Sequence, residues 1–118
     1  MQVLTEAEVR QLADRLGPHI DARYDHTYGP VFPEGRTDVC AVKRLAENGS
    51  SYGFDTLYLL SKRADGSIAH QKIADSRASK DYLHIDSIIV QDQSVTVKYS
   101  TGGSFGGKPW QKEFTAVF

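Results

Sequence analysis

Apolar and polar positions follow two periods along this chain, and the change from one to the other falls early. Val9, Leu12, Ala13 and Leu16 recur at i, i+3, i+4 and i+7, leaving Glu6, Arg10, Asp14 and Arg15 for solvent. Thr5 and Glu8 occupy the two positions of a capping box, and Leu4 and Val9 those of a hydrophobic staple, so the spacing predicts a helix over 4–16. Gly17-Pro18 either stops it or, the favoured reading, opens a second short helix with Pro18 at its first position and Ile20 and Tyr24 stacked four apart. Residues 25–37, DHTYGPVFPEGRT, carry prolines, glycines and aromatic rings without a period, and read as an ordered loop.

From Asp38 the period is two. Strands are predicted over Val39–Leu45, Phe54–Lys62 and Ser67–Ala74, separated by Asn48-Gly49-Ser50-Ser51 and by Asp65-Gly66. Tyr82–Thr101 reads as one hairpin folded about Gln91-Asp92-Gln93-Ser94. Folding it about its centre sets Val90 against Val95 and Ile88 against Val97, whether the loop holds two or four residues. Continued outward, the same register places Asp86 opposite Tyr99 and His84 opposite Thr101. After a glycine-rich linker, Trp110, Phe114, Ala116 and Phe118 alternate with Gln111, Glu113, Thr115 and Val117, which predicts a last strand with an aromatic face toward the core.

These elements predict an α+β fold in two layers: an N-terminal helix packed on a curved antiparallel meander sheet of about six strands, with Ile88, Val90, Val95 and Val97 receiving Leu12 and Leu16. The alternative is a closed six-stranded barrel with the helix as a plug. A sheet curled around one helix resembles, in architecture, the cystatin-like and NTF2-like cones, and that resemblance implies a pocket at one end. No motif assigns the chain to either family.

Composition narrows the classes. A chain of 118 residues holds a single domain, 1–118, with a core large enough to fold unaided. Fourteen basic against fifteen acidic residues, with no basic run longer than a dipeptide, disfavours nucleic acid as a partner. The start MQVLTEAEVRQ lacks the pattern of a leader and no apolar run reaches bilayer length, so no membrane partner and a cytoplasmic location are expected. Cys40, the one cysteine, excludes an intramolecular disulfide and reads as a small core residue in its strand.

Candidate chemistry centres on His84 and Asp86, an imidazole and a carboxylate two apart on a strand. Asp86 would orient the ring for acid or base work, with Tyr99 as polar support. Tyr99, Tyr82, Tyr28, Phe32 and Phe105 are the candidate ligand contacts. His19 and His26 read as surface residues. His70 or Asp75 would complete a metal set only if their strand neighboured the hairpin, and with no metal motif no metal or cofactor is expected. Gly102-Gly103-Ser104-Phe105-Gly106-Gly107-Lys108 leads into a strand rather than a helix N-terminus, which argues against a phosphate cradle.

The expected function is a binding or interaction module holding a small molecule or protein partner at the concave end of the sheet, with self-association into a homo-oligomer through edge strands. The alternative is a small cofactor-free hydrolase, lyase or isomerase using His84 and Asp86.

Overall fold

Thr5 starts the helix as the sequence predicts. Its side chain accepts from the Glu8 amide at 3.2 Å, while Glu8 Oε1 accepts from the Thr5 amide at 3.1 Å. The helix α1 spans Glu6–Ala13 and is shorter than the 4–16 expected. Its last turn tightens, with Arg15 and Leu16 amides donating to Leu12 and Ala13, and Gly17 leaves it at φ 72, a left-handed conformation that glycine adopts without steric cost. The expected second helix is absent among the described residues, because 19–24 form bends and a turn. The computed structural model describes residues 3–17, 19–49, 53–76, 82–102 and 110–117, the side chains of Ser76 and Tyr82 apart.

Among the described residues seven strands follow in two antiparallel sheets, where a single meander of six was expected. The first sheet runs in the order β1 (His26–Thr27), β2 (Val39–Glu47), β3 (Gly53–Lys62) and β4 (Ile68–Ser76). The second runs β5 (Tyr82–Gln91), β6 (Ser94–Gly102) and β7 (Trp110–Val117). Among the described residues neither sheet closes on itself, so the barrel alternative is not the fold.

The layers number three. On one face of the first sheet, Leu4, Val9 and Ala13 of the helical segment pack with Cys40 and Val42 of β2 and Tyr58 and Leu60 of β3. On the other face, Val39, Ala41 and Leu59 pack against Ile88, Val95, Val97 and Ala116 of the second sheet. The hairpin stripe thus meets a sheet, whereas the sequence reading set it against Leu12 and Leu16, which lie on the far side of β2 and β3. The reason is the composition of β2: Val39-Cys40-Ala41-Val42 is apolar on both faces and fully buried, so it needs a cover on each side. At about 1.5–3 kcal/mol for each large apolar side chain buried, the two interfaces outweigh any single polar contact in the molecule.

The hairpin turns through Asp92-Gln93, with Asp92 at φ 55, and pairs Val90 with Val95 and Ile88 with Val97 as the sequence predicts. Beyond Ser87 the register slips by one. Ser87 pairs with Lys98 and Ile85 with Tyr99, leaving Asp86 as the extra residue of a β-bulge. One inserted residue reverses the side-chain alternation, so Leu83 and Ile85 turn into the sandwich together with Tyr99.

Candidate functional site

The bulge decides which predicted site residues meet. Tyr99, only 8% exposed, packs with Leu57 and Leu83 in the core and stands across from Ile85, not Asp86. His84 pairs with Ser100, not Thr101. Asp86 accepts a hydrogen bond from the Ser100 hydroxyl at 2.6 Å and lies 4.0 Å from His84 Nε2. His84 and Asp86 therefore stay together on the outer side of β5, and Tyr99 is parted from them. His70 and Asp75 sit on β4 in the other sheet, which does not pair with the hairpin.

His84 finds a different neighbour in Tyr28. Both line a hollow of about 230 Å³ with Gly29, Val31, Lys43 and Ile85, where the chain after β1 passes beside β2 and approaches the start of β5. The 28–31 segment is held there by backbone pairing: the Tyr28 amide donates to the Lys43 carbonyl at 2.9 Å, and Val31 and Ala41 exchange hydrogen bonds at 2.8 and 2.9 Å. What reads in sequence as an irregular loop is thus an extended edge fixed to the sheet. Val31 and Ile85 supply apolar walls continuous with the sandwich core.

Lys43, which the sequence reading passed over, occupies the centre of this arrangement. It projects from β2 on the side facing the second sheet, where its Nζ donates to the Leu83 carbonyl at 3.0 Å and lies 4.6 Å from the centroid of the Tyr28 ring. Asp55 takes the other end of the same residue, accepting from the Leu83 amide. Burial pushes the Asp55 carboxyl above its ordinary range, against the lowering effect of Lys43 and of that hydrogen bond. Burial likewise raises the Tyr28 hydroxyl, and the carboxylates of Asp55 and Glu47 raise it further. The backbone of Leu83, a buried residue near the start of β5, is thus clamped by a lysine from β2 and an aspartate from β3. The sequence signal was available, since Lys43 interrupts the alternation Val39, Ala41, Leu45 on a face otherwise built for the core.

Of the other candidate contacts, Phe32 is exposed and does not line this hollow. Phe105 and the Tyr82 side chain lie outside the described residues. Trp110 was expected to face the core but is 70% exposed at the beginning of the edge strand β7, whereas Phe114 and Ala116 do pack inward. Cys40 is fully buried against the helix layer, and burial pushes its thiol up to about 12.

A second polar cluster lies under the helix layer. Arg44, 2% exposed, donates from Nη2 to Asp25 Oδ2 at 2.8 Å and stands 2.8 Å from His19 Nδ1, which is itself 2.9 Å from Asp25 Oδ2. That ring nitrogen accepts from Arg44 when unprotonated and donates to Asp25 when it carries a proton. His19 is exposed, as the sequence predicts, and covers a buried ion pair. The cluster borders a hollow of about 210 Å³ lined by Asp14, His19, Ala22 and Asp25. Its principal charges are matched within the protein, and it ties the 19–25 segment to β2.

Among the described residues, no helix is long and apolar enough to cross a membrane. Comparison with family models, with curated proteins and with solved structures returns no match.

Proposed function

We propose that this protein is a binding module that holds a small molecule in the hollow between the 28–31 segment, β2 and β5. One observation carries the reading: a half-buried lysine ammonium, an exposed tyrosine ring and two apolar walls converge on one concavity at the margin of the sandwich. Concave sites of this kind, apolar with a few fixed polar groups, are where small ligands gain affinity without reorganising the fold. Gly29 offers a test, because it lines the hollow and a Cβ added there would meet no atom within 4 Å, so Gly29→Val adds bulk at the hollow without a clash at the Cβ. A fragment library titrated into the 15N-labelled protein should move the amide signals of Gly29, Lys43 and Ile85, and Gly29→Val should abolish those shifts while leaving the thermal midpoint unchanged. Fragment shifts confined to the Asp14–Asp25 hollow, or insensitive to Gly29→Val, would overturn the reading.

The catalytic alternative has less behind it. His84 does border the hollow, with Asp86 near its Nε2, but Asp86 is engaged by Ser100 and the Tyr99 ring lies in the core, so the third member of the expected set does not accompany them. Self-association draws its support from β7, an edge strand with Trp110 and Val117 exposed. A light-scattering mass of 13.1 kDa across a wide concentration range would remove it.

A further inference from the structure

The contacts of Lys43 bear on what kind of molecule the hollow takes. Its direct partners are a neutral carbonyl and an aromatic ring. The described lysines with a carboxylate within ion-pair distance are Lys62, Lys72 and Lys98, so Lys43 carries its charge into the sandwich margin without an anion in contact. Asp55 influences it only from beyond that distance, being held on the Leu83 amide. A partly desolvated ammonium in this position gains most from a group of opposite charge that also accepts hydrogen bonds. The imidazole of His84 stands on the same hollow as a second polar group, while Tyr28, Val31 and Ile85 present flat and apolar surface beside them.

We propose that the ligand is a small carboxylic acid with a flat apolar body: its carboxylate contacts Lys43 and its body lies against Tyr28, Val31 and Ile85. The proposal rests on the reading that the hollow is a ligand site and adds the chemical class. The volume of about 230 Å³ falls below the roughly 300–1,000 Å³ of sites for drug-sized ligands, which suits a single-ring acid. With the carboxylates of Asp55 and Glu47 also acting on the Tyr28 hydroxyl, the class rests on direct contact with the Lys43 ammonium rather than on the net charge of the region, and the walls set it by shape.

Benzoate, benzyl alcohol and benzylamine share one ring and differ in the charge of the substituent, so they separate the class from the site. Titrated at neutral pH into the full chain and followed at the amides of Gly29, Lys43 and Ile85, benzoate should bind at least about tenfold more tightly than benzyl alcohol, with benzylamine weakest. Lys43→Met keeps most of the side-chain stem and removes the charge. It should cost benzoate about tenfold and leave benzyl alcohol unchanged. Gly29→Val, which retains Lys43, should abolish binding of both and guards against a Lys43→Met protein that fails to fold. Equal affinity for benzoate and benzyl alcohol, or a folded Lys43→Met protein with undiminished benzoate affinity, overturns the carboxylate proposal and leaves the hollow as a site. If none of the three compounds moves these amides, the hollow is not a ligand site and both readings fall.

Discussion

Arg44 is a buried charged side chain whose removal the structure makes costly. It projects from β2 toward the helix layer with 2% of its side chain exposed, and Asp25, with 9% exposed, supplies the compensating charge at 2.8 Å. Replacing Arg44 by Met fills similar volume but leaves the Asp25 carboxylate with His19 in place of a permanent cation, and replacing Asp25 by Asn keeps a neutral acceptor but removes the charge that compensates the buried guanidinium. Either single change should cost about 3–5 kcal/mol, the usual penalty for breaking a buried pair from one side. Against a total stability of about 5–15 kcal/mol for a domain of this kind, that is a large share. Unfolding entropy scales at about 2.1 cal/mol/K per residue, so in a chain of 118 residues each kcal/mol moves the thermal midpoint by about 4 °C. The expected drop is therefore about 12–20 °C. The double change Arg44→Met with Asp25→Asn removes both charges and should cost less than the two singles added, with a coupling of about 2 kcal/mol or more. Urea unfolding of the four proteins at pH 7, with matching m-values, reads this directly. Single costs under about 1 kcal/mol, or strictly additive losses, would show that the pair is solvated and that its burial does not govern its energetics.

Three further outcomes follow from the sandwich. Tyr99→Ala should cost about 3–5 kcal/mol in urea unfolding and Tyr99→Phe less than about 1 kcal/mol, because the ring is core and its hydroxyl secondary; a Tyr99→Phe protein of unchanged stability that lost ligand binding would contradict that placement. Burial raises the Asp55 carboxyl, so between its unfolded value near 3.8 and the raised folded value the native chain holds the proton more firmly, and this group's contribution to stability falls as pH climbs through that window. Asp55→Asn, which keeps an acceptor for the Leu83 amide, should therefore raise the urea midpoint at pH 7 and change it little at pH 3; a loss at pH 7 would reverse the assignment. Cys40, fully buried with its thiol pushed up to about 12, should react with an aromatic disulfide reagent only at the rate of unfolding, and rapid labelling of the native protein would refute its place in the core.

Much of the fold was legible where the signal is local. Thr5 with Glu8, Asp65-Gly66 and the Val90–Val95 centre of the hairpin are settled by residues adjacent in sequence, and they stand as predicted. Two long-range features were written less openly. Val39-Cys40-Ala41-Val42 and Leu57-Tyr58-Leu59-Leu60 are runs without alternation, the mark of strands covered on both faces, and they pointed to a third layer. In the hairpin, Leu83, Ile85, Ile88 and Val90 step by two, three and two, while Val95, Val97 and Tyr99 step evenly by two. That mismatch is the trace of the bulge at Asp86. That one residue parts Tyr99 from Asp86 and sets it across from Ile85.

The candidate site was the least legible part. Tyr28 and His84 were singled out, but 56 positions separate them, and no periodicity relates Tyr28, Lys43 and His84. By itself the sequence determined one capped helix, the six longer strands and the register of the hairpin next to its turn, because capping, turns and alternation act over a few residues. Only the tertiary structure decided that the strands part into two sheets, that the helix and the hairpin take opposite faces of β2 and β3, and that Lys43 lines one hollow with Tyr28 and His84. Those outcomes depend on which buried face finds which cover, an interaction among segments distant in the chain that no local pattern encodes.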